Sequence, residues 1–143
     1  SANIDRHKEW NVFAKQGGTA SEALIAFAHE YVSYFLDNNE LFRILMTFML
    51  QAENMNLTDE QNTQLIHTTN ENVHVIAEIL QRGVDSGEFI SGMDVRRMQY
   101  AVWGLLNGVI SLYIYTGVPE RRGERIFTIV HDSLNALIKG IKY

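Results

Sequence analysis

At 143 residues, 46% of them hydrophobic and 20% charged, the chain is one domain's worth of sequence with enough apolar material to bury a core. It has no cysteine, which rules out disulfides and thiolate zinc sites, and no apolar run near the ~18 residues that a membrane-spanning helix needs. The net charge of -5 is uneven: residues 1–95 hold five Lys/Arg against fourteen Asp/Glu, and residues 96–143 hold seven against three, so the chain lacks the broad basic face of a non-specific nucleic-acid binder.

The start, "SANIDRHKEW", has neither a secretory-signal organisation nor a methionine, and reads as a fragment of a longer protein. Residues 4–16 read as a weakly amphipathic helix, expected to close at Gly17 and Gly18. In "TASE", Thr19 as N-cap and Glu22 three residues on make a capping box for a helix reaching about Leu36. Leu24, Phe27, Ala28, Tyr31 and Phe35 share its apolar face, and "DNN" ends it. "ELFRILMTFMLQ", residues 40–51, is apolar nearly all round, which predicts a short helix buried on several sides.

After a polar loop, Thr58 and Gln61 repeat the capping-box register and open a long helix to about Ser86. Gly87 suits the left-handed residue just past its end, and Gly83 points to close packing. Asp94 caps the next helix, which runs to about Thr116. Pro119 fits the first turn of the last helix, whose Ile126, Ile129, Val130, Leu134, Leu137 and Ile141 make one apolar stripe. Strand-like alternation is nearly absent. The fold expected is all-α, an antiparallel bundle of five to six helices.

The helix over residues 94–116 carries two apolar sectors. Met98, Val102, Leu105, Val109 and Leu112 form one; Trp103, Ile110 and Ile114 form the other, with Tyr100 and Asn107 beside them. Ala101, Gly104 and Gly108 lie between as a small-residue seam. Such a helix needs cover on both sides, either from a second copy of the chain or from a central position in a monomeric bundle. Self-association through this helix and the last one assigns Met98, Ala101, Leu105, Gly108, Leu112, Ile126, Val130, Leu134 and Leu137 to an interface.

Phe27, Tyr31, Tyr34, Phe35, Phe42, Met46, Phe48 and Met49 crowd two adjacent helices, as either irregular core or adaptable pocket. On the long helix Ile66, Val73, Leu80 and Val84 mark the expected buried side, with Asn62 and Thr69 inside it. Buried amides and hydroxyls need partners, which a ligand could supply. The candidate ligand-binding residues are therefore Phe27, Tyr31, Phe35, Phe42, Met46, Met49, Asn62, Thr69, Trp103 and Asn107.

"HTTNENVH" puts His67, Glu71 and His74 at chelating spacing on one helix side, continued by Glu78, but that side points away from the core and reads as a solvated face; no metal and no cofactor is expected. There is no phosphate-binding glycine loop, no G-x-S-x-G and no HExxH, so no enzyme is expected.

The stretch "ILQRGVDSGEF…DVRRMQYAVWGLLNGVISLYIYTG" resembles the C-terminal regulatory domain of TetR-family transcriptional repressors. Gly83, Gly87, Glu88, Phe89, Asp94, Trp103, Gly104, Asn107 and Gly108 carry the likeness, and "ALIAFAHEYVSYFLDNNELFRIL" is similar to the family's fifth and sixth helices. The resemblance implies residues 1–18 as a remnant of the linking helix and residues 19–143 as the regulatory domain. It implies a cytoplasmic homodimer sensing a small apolar or amphipathic effector, and contact with operator DNA only through an N-terminal helix-turn-helix domain absent from this sequence. The alternative is a helical interaction module with a filled core and no small-molecule ligand.

Overall fold

The computed structural model describes residues 18–51, 55–116 and 119–143; the expected helix over 4–16 and the linking-helix remnant lie outside them, apart from Gly18. Five helices span the described residues: α1 (Ala20–Asp37), α2 (Asn39–Gln51), α3 (Asp59–Asp85), α4 (Val95–Thr116) and α5 (Pro119–Ile141). The fold is all-α.

Local chemistry accounts for the helix ends. Thr19 and Glu22 bond reciprocally at the start of α1, and Thr58 and Gln61 do the same at α3. Asp94 accepts from the Arg97 backbone N–H at 3.1 Å and caps α4, and α5 begins at Pro119. Gly87, with φ of 83°, takes the left-handed turn after α3.

The turn between α3 and α4 then folds back onto the end of the chain. Phe89 pairs with Lys142 in an isolated antiparallel bridge. The Ile90 N–H donates to Ile141 O at 2.8 Å, and the Tyr143 N–H to Glu88 O at 3.2 Å.

Helix α1 is the axis of the bundle and packs against all four others. Leu24, Phe27, Ala28, Tyr31, Val32, Tyr34 and Phe35 are buried along it. Around it, α3 packs on α4 and α4 on α5.

Two expected faces are corrected. Helix α2 is not enclosed: Phe42, Leu45 and Phe48 are buried, while Ile44, Met49 and Leu50 are exposed, because the helix lies against the bundle by one side. On α3 the buried side is Thr68, Asn72, Val73, Val75, Ile76, Ile79, Leu80 and Gly83. Ile66 and Asn62 are exposed; of residues 59–67 only Leu65 is even half-buried, so the first two turns of α3 lie largely in solvent.

Candidate functional site

Helices α1 and α4 bring three polar groups together inside the core. Tyr31 lies on the buried stripe of α1, and Trp103 and Asn107 are one turn apart on α4. The Tyr31 hydroxyl donates to Asn107 Oδ1 at 2.5 Å and accepts from Trp103 Nε1 at 3.1 Å. Burial pushes the Tyr31 hydroxyl far above its ordinary range, and the two hydrogen bonds offset this only in part. The phenol stays protonated and keeps both roles.

An aromatic run leads outward from this cluster. Tyr31 meets Phe35 edge-on at 4.9 Å between centroids, and Phe35 meets Phe42 of α2 edge-on at 5.4 Å. Phe42 is also a wall of an open cleft of about 350 Å³ between α2 and α4, lined by Phe42, Arg43, Met46, Thr47, Ser111 and Ile114. The volume lies at the lower end of the range for small-molecule sites. Ser111 and Ile114 follow Asn107 by one and two turns of α4, so a single helix carries both the polar cluster and the cleft wall.

Of the expected ligand residues, Phe42 and Met46 line the cleft. Phe27, Tyr31, Phe35, Trp103 and Asn107 are packed behind it in the core. Thr69 is half-buried on α3. Met49 and Asn62 are exposed and do not line the cleft; Asn62 sits in the projecting start of α3 and cannot be part of a buried wall. The inward-facing polar residues of α3 are Thr68, whose hydroxyl donates to Gln64 O at 3.0 Å, and Asn72, whose Oδ1 is buried with no hydrogen-bond partner among the described residues.

Helix α4 has one fully buried side, with Val102, Trp103, Leu106, Asn107 and Ile110, rather than two equal apolar sectors. Ala101, Gly104, Gly108 and Leu112 are exposed, and Met98 and Leu105 are half-buried. A Cβ added at Gly104 or Gly108 would meet nothing within 4 Å among the described residues. The expected interface stripe on α5 is corrected: Ile126, Val130 and Leu134 are buried in the chain's own core and face inward. Leu137 is half-buried, and the outer side of α5 carries Ile129, Asp132, Ala136 and Gly140. The turn of register follows from α5 burying its most continuous apolar row, completed by Ile138 and Ile141.

A second polar arrangement ties three chain segments together. The Glu88 carboxylate accepts from the Ala20 N–H at 2.8 Å, the Ser21 N–H at 3.0 Å and the Ser21 hydroxyl, so it caps the first turn of α1. Desolvation acts to raise its pKa. The Ser21 hydroxyl, the two backbone donors and the charge of Lys142 outweigh that and hold the carboxyl below its ordinary value. Beside it, Arg82 donates to Gly18 O.

The candidate chelating residues form two separate pairs. His67 Nε2 lies 3.8 Å from Glu71, and His74 Nε2 lies 2.6 Å from Glu78, all on the open side of α3. Among the described residues no three potential ligands converge on one point, and no helix is long and apolar enough to cross a membrane.

A family model described as the tetracyclin repressor-like C-terminal domain matches residues 17–120. No curated protein and no solved structure matches the chain.

Proposed function

Because the chain belongs to the family of tetracyclin repressor-like C-terminal domains, regulatory domains of transcription factors, we propose that it is an effector-sensing and dimerisation domain of such a regulator. The effector is a small apolar or amphipathic molecule seated in the cleft of Phe42, Met46, Ser111 and Ile114. The partner is a second copy laid against the exposed small-residue seam of α4 and the outer side of α5. DNA is contacted only through a separate reading domain, the role is regulatory rather than catalytic, and the compartment is the cytoplasm. Residues 19–143 make up the domain, and the residues before them link it to that reader.

One observation carries this reading. Helix α4 lines an open cleft with Ser111 and Ile114, while Ala101, Gly104 and Gly108 on the same helix are uncovered. A ligand that shifts α4 therefore acts on the dimer contact directly. Its leverage is limited to the difference in its affinity for the two arrangements. The grip of Glu88 and Arg82 on the start of α1 gives the end of α3 and the turn after it a hold on the segment that precedes the domain.

The alternative module with a filled core is favoured by a different observation: Tyr31, Trp103 and Asn107 satisfy one another and leave a ligand little to do there. A thermal-shift panel of apolar and amphipathic compounds separates the two readings, with Ser111→Trp as the blocked-cleft control. Stabilisation of the natural chain that disappears in Ser111→Trp supports sensing. A flat panel, or one indifferent to the tryptophan, supports the filled core.

A further inference from the structure

The cleft carries a charge pattern that narrows the class of effector. Of the six described residues that line it, Phe42, Met46 and Ile114 are apolar, Thr47 and Ser111 bear hydroxyls, and Arg43 is the charged one. The two helices that form it are poor in acid: α2 holds Glu40 as its single carboxylate, and α4 holds none. The charge at the cleft is therefore that of a single guanidinium at its rim, with Glu40 three residues away on the same helix.

Arg43 is not committed to a structural role. Its ion pair with Glu40 is 3.9 Å long, with both side chains mostly in solvent, and such pairs contribute little and are readily exchanged. A guanidinium presents a planar fork of donors matched to a carboxylate, and hydroxyls can donate to the same oxygens. Resting on the sensing function proposed above, we infer that the cleft takes an anionic amphipath: a carboxylate head held by Arg43 with help from Thr47 and Ser111, and an apolar tail laid along Phe42, Met46 and Ile114. The head stays at the open rim, where desolvating the ion costs least, and the tail supplies apolar burial.

The test is calorimetric titration with decanoate and with decanol, which share a tail and differ in the charge of the head. For the natural chain decanoate binds about tenfold more tightly, the step one well-made charged contact provides. Raising the salt concentration narrows the gap. In Arg43→Gln the preference vanishes while decanol affinity is unchanged, and Arg43→Lys keeps part of it. Arg43 is exposed, so these variants fold. Equal affinity of the natural chain for both probes, or a preference that survives in Arg43→Gln, overturns the anionic-head assignment and leaves the sensing function standing. Absence of binding by both probes counts against the cleft as a sensor as well.

Discussion

The ring of Phe89 occupies the space where a side chain on Gly83 would begin. A Cβ built on Gly83 would lie 2.1 Å from Phe89 Cδ2 and 2.3 Å from Cε2, while the Phe89 N–H donates to Gly83 O at 3.0 Å. The glycine inside the last turns of α3 is thus a seat for the aromatic ring that turns the chain toward α4. Its helix-propensity cost of about 1 kcal/mol is the counterpart of that contact.

Gly83→Ala therefore destabilises the fold although alanine is the better helix former. Both residues are buried, so the ring has no free direction in which to yield. Overpacking of this kind costs about 1–3 kcal/mol, or several degrees of melting temperature in a domain this size. In a double-mutant cycle with Phe89→Ala, the alanine at 83 should become neutral or mildly favourable. Additive effects would show that the two residues do not compete for the same space.

The Glu88 cap predicts a defined acid limb in the stability profile. Its carboxyl lies below the ordinary value in the folded chain, so its stabilisation is fully present above the unfolded-state pKa and is lost as pH falls through the depressed folded-state value. Glu88→Gln keeps the shape, removes the charge and weakens the hold on Ala20 and Ser21. It should cost about 1 kcal/mol at neutral pH, the scale of a lost helix cap, with the deficit shrinking toward zero in acid. Urea melts of both forms across the acid range measure it, and a pH-independent deficit would assign the loss to packing instead.

Tyr31→Phe leaves the shape of the core intact and orphans two groups, Trp103 Nε1 and Asn107 Oδ1. Roughly 2 kcal/mol or more of stability should go, because buried groups without partners lose their hydration without compensation. Adding Asn107→Leu should return part of it. Burial also keeps the phenol neutral: its raised folded-state pKa stabilises the fold below the ordinary tyrosine value, and that contribution declines as pH rises beyond it. Ultraviolet titration should show Tyr31 among the tyrosine signal that appears only as the chain unfolds in base, and Tyr31→Phe should remove that share of it.

Most of the fold is legible from local rules. Thr19, Thr58, Asp94 and Gly87 each announce a helix end through side-chain or backbone chemistry acting within a few residues, and all four ends lie where those residues put them. The faces are harder to read. Helical periodicity gives a stripe but not which neighbours cover it: α3 turns Thr68 and Asn72 inward while Asn62 is exposed, because its first turns run beyond the bundle. The row on α5 is apolar for its own core rather than for a partner. Trp103 and Asn107 are legible as neighbours on one helix, but their hydrogen bonds to Tyr31 depend on how α1 packs against α4, which the period of a single helix does not give. Arg43, Thr47 and Ser111 are not legible as a group, because each looks like an ordinary exposed polar residue until two helices place them around one cleft.

The uncovered seam of α4 yields a prediction in which monomer stability and association move in opposite directions. At Gly108 an added side chain meets open space in the isolated chain, so Gly108→Leu removes a helix-interior glycine and should stabilise the monomer by roughly 0.5–1 kcal/mol. If a second copy lies against Ala101, Gly104 and Gly108, the same leucine holds the two helices apart and loosens the dimer by at least about tenfold, since overpacking costs about 1–3 kcal/mol. Leu112, 66% exposed on α4, and Ile129, 47% exposed on α5, would lose their cover with it. Sedimentation equilibrium over a concentration series, paired with melts at the dilute end, reads both quantities on one sample. A more stable chain that dissociates more readily locates the interface at the seam. A more stable chain with unaltered association would place the partner on another surface, and a purely monomeric natural chain would remove the dimer altogether.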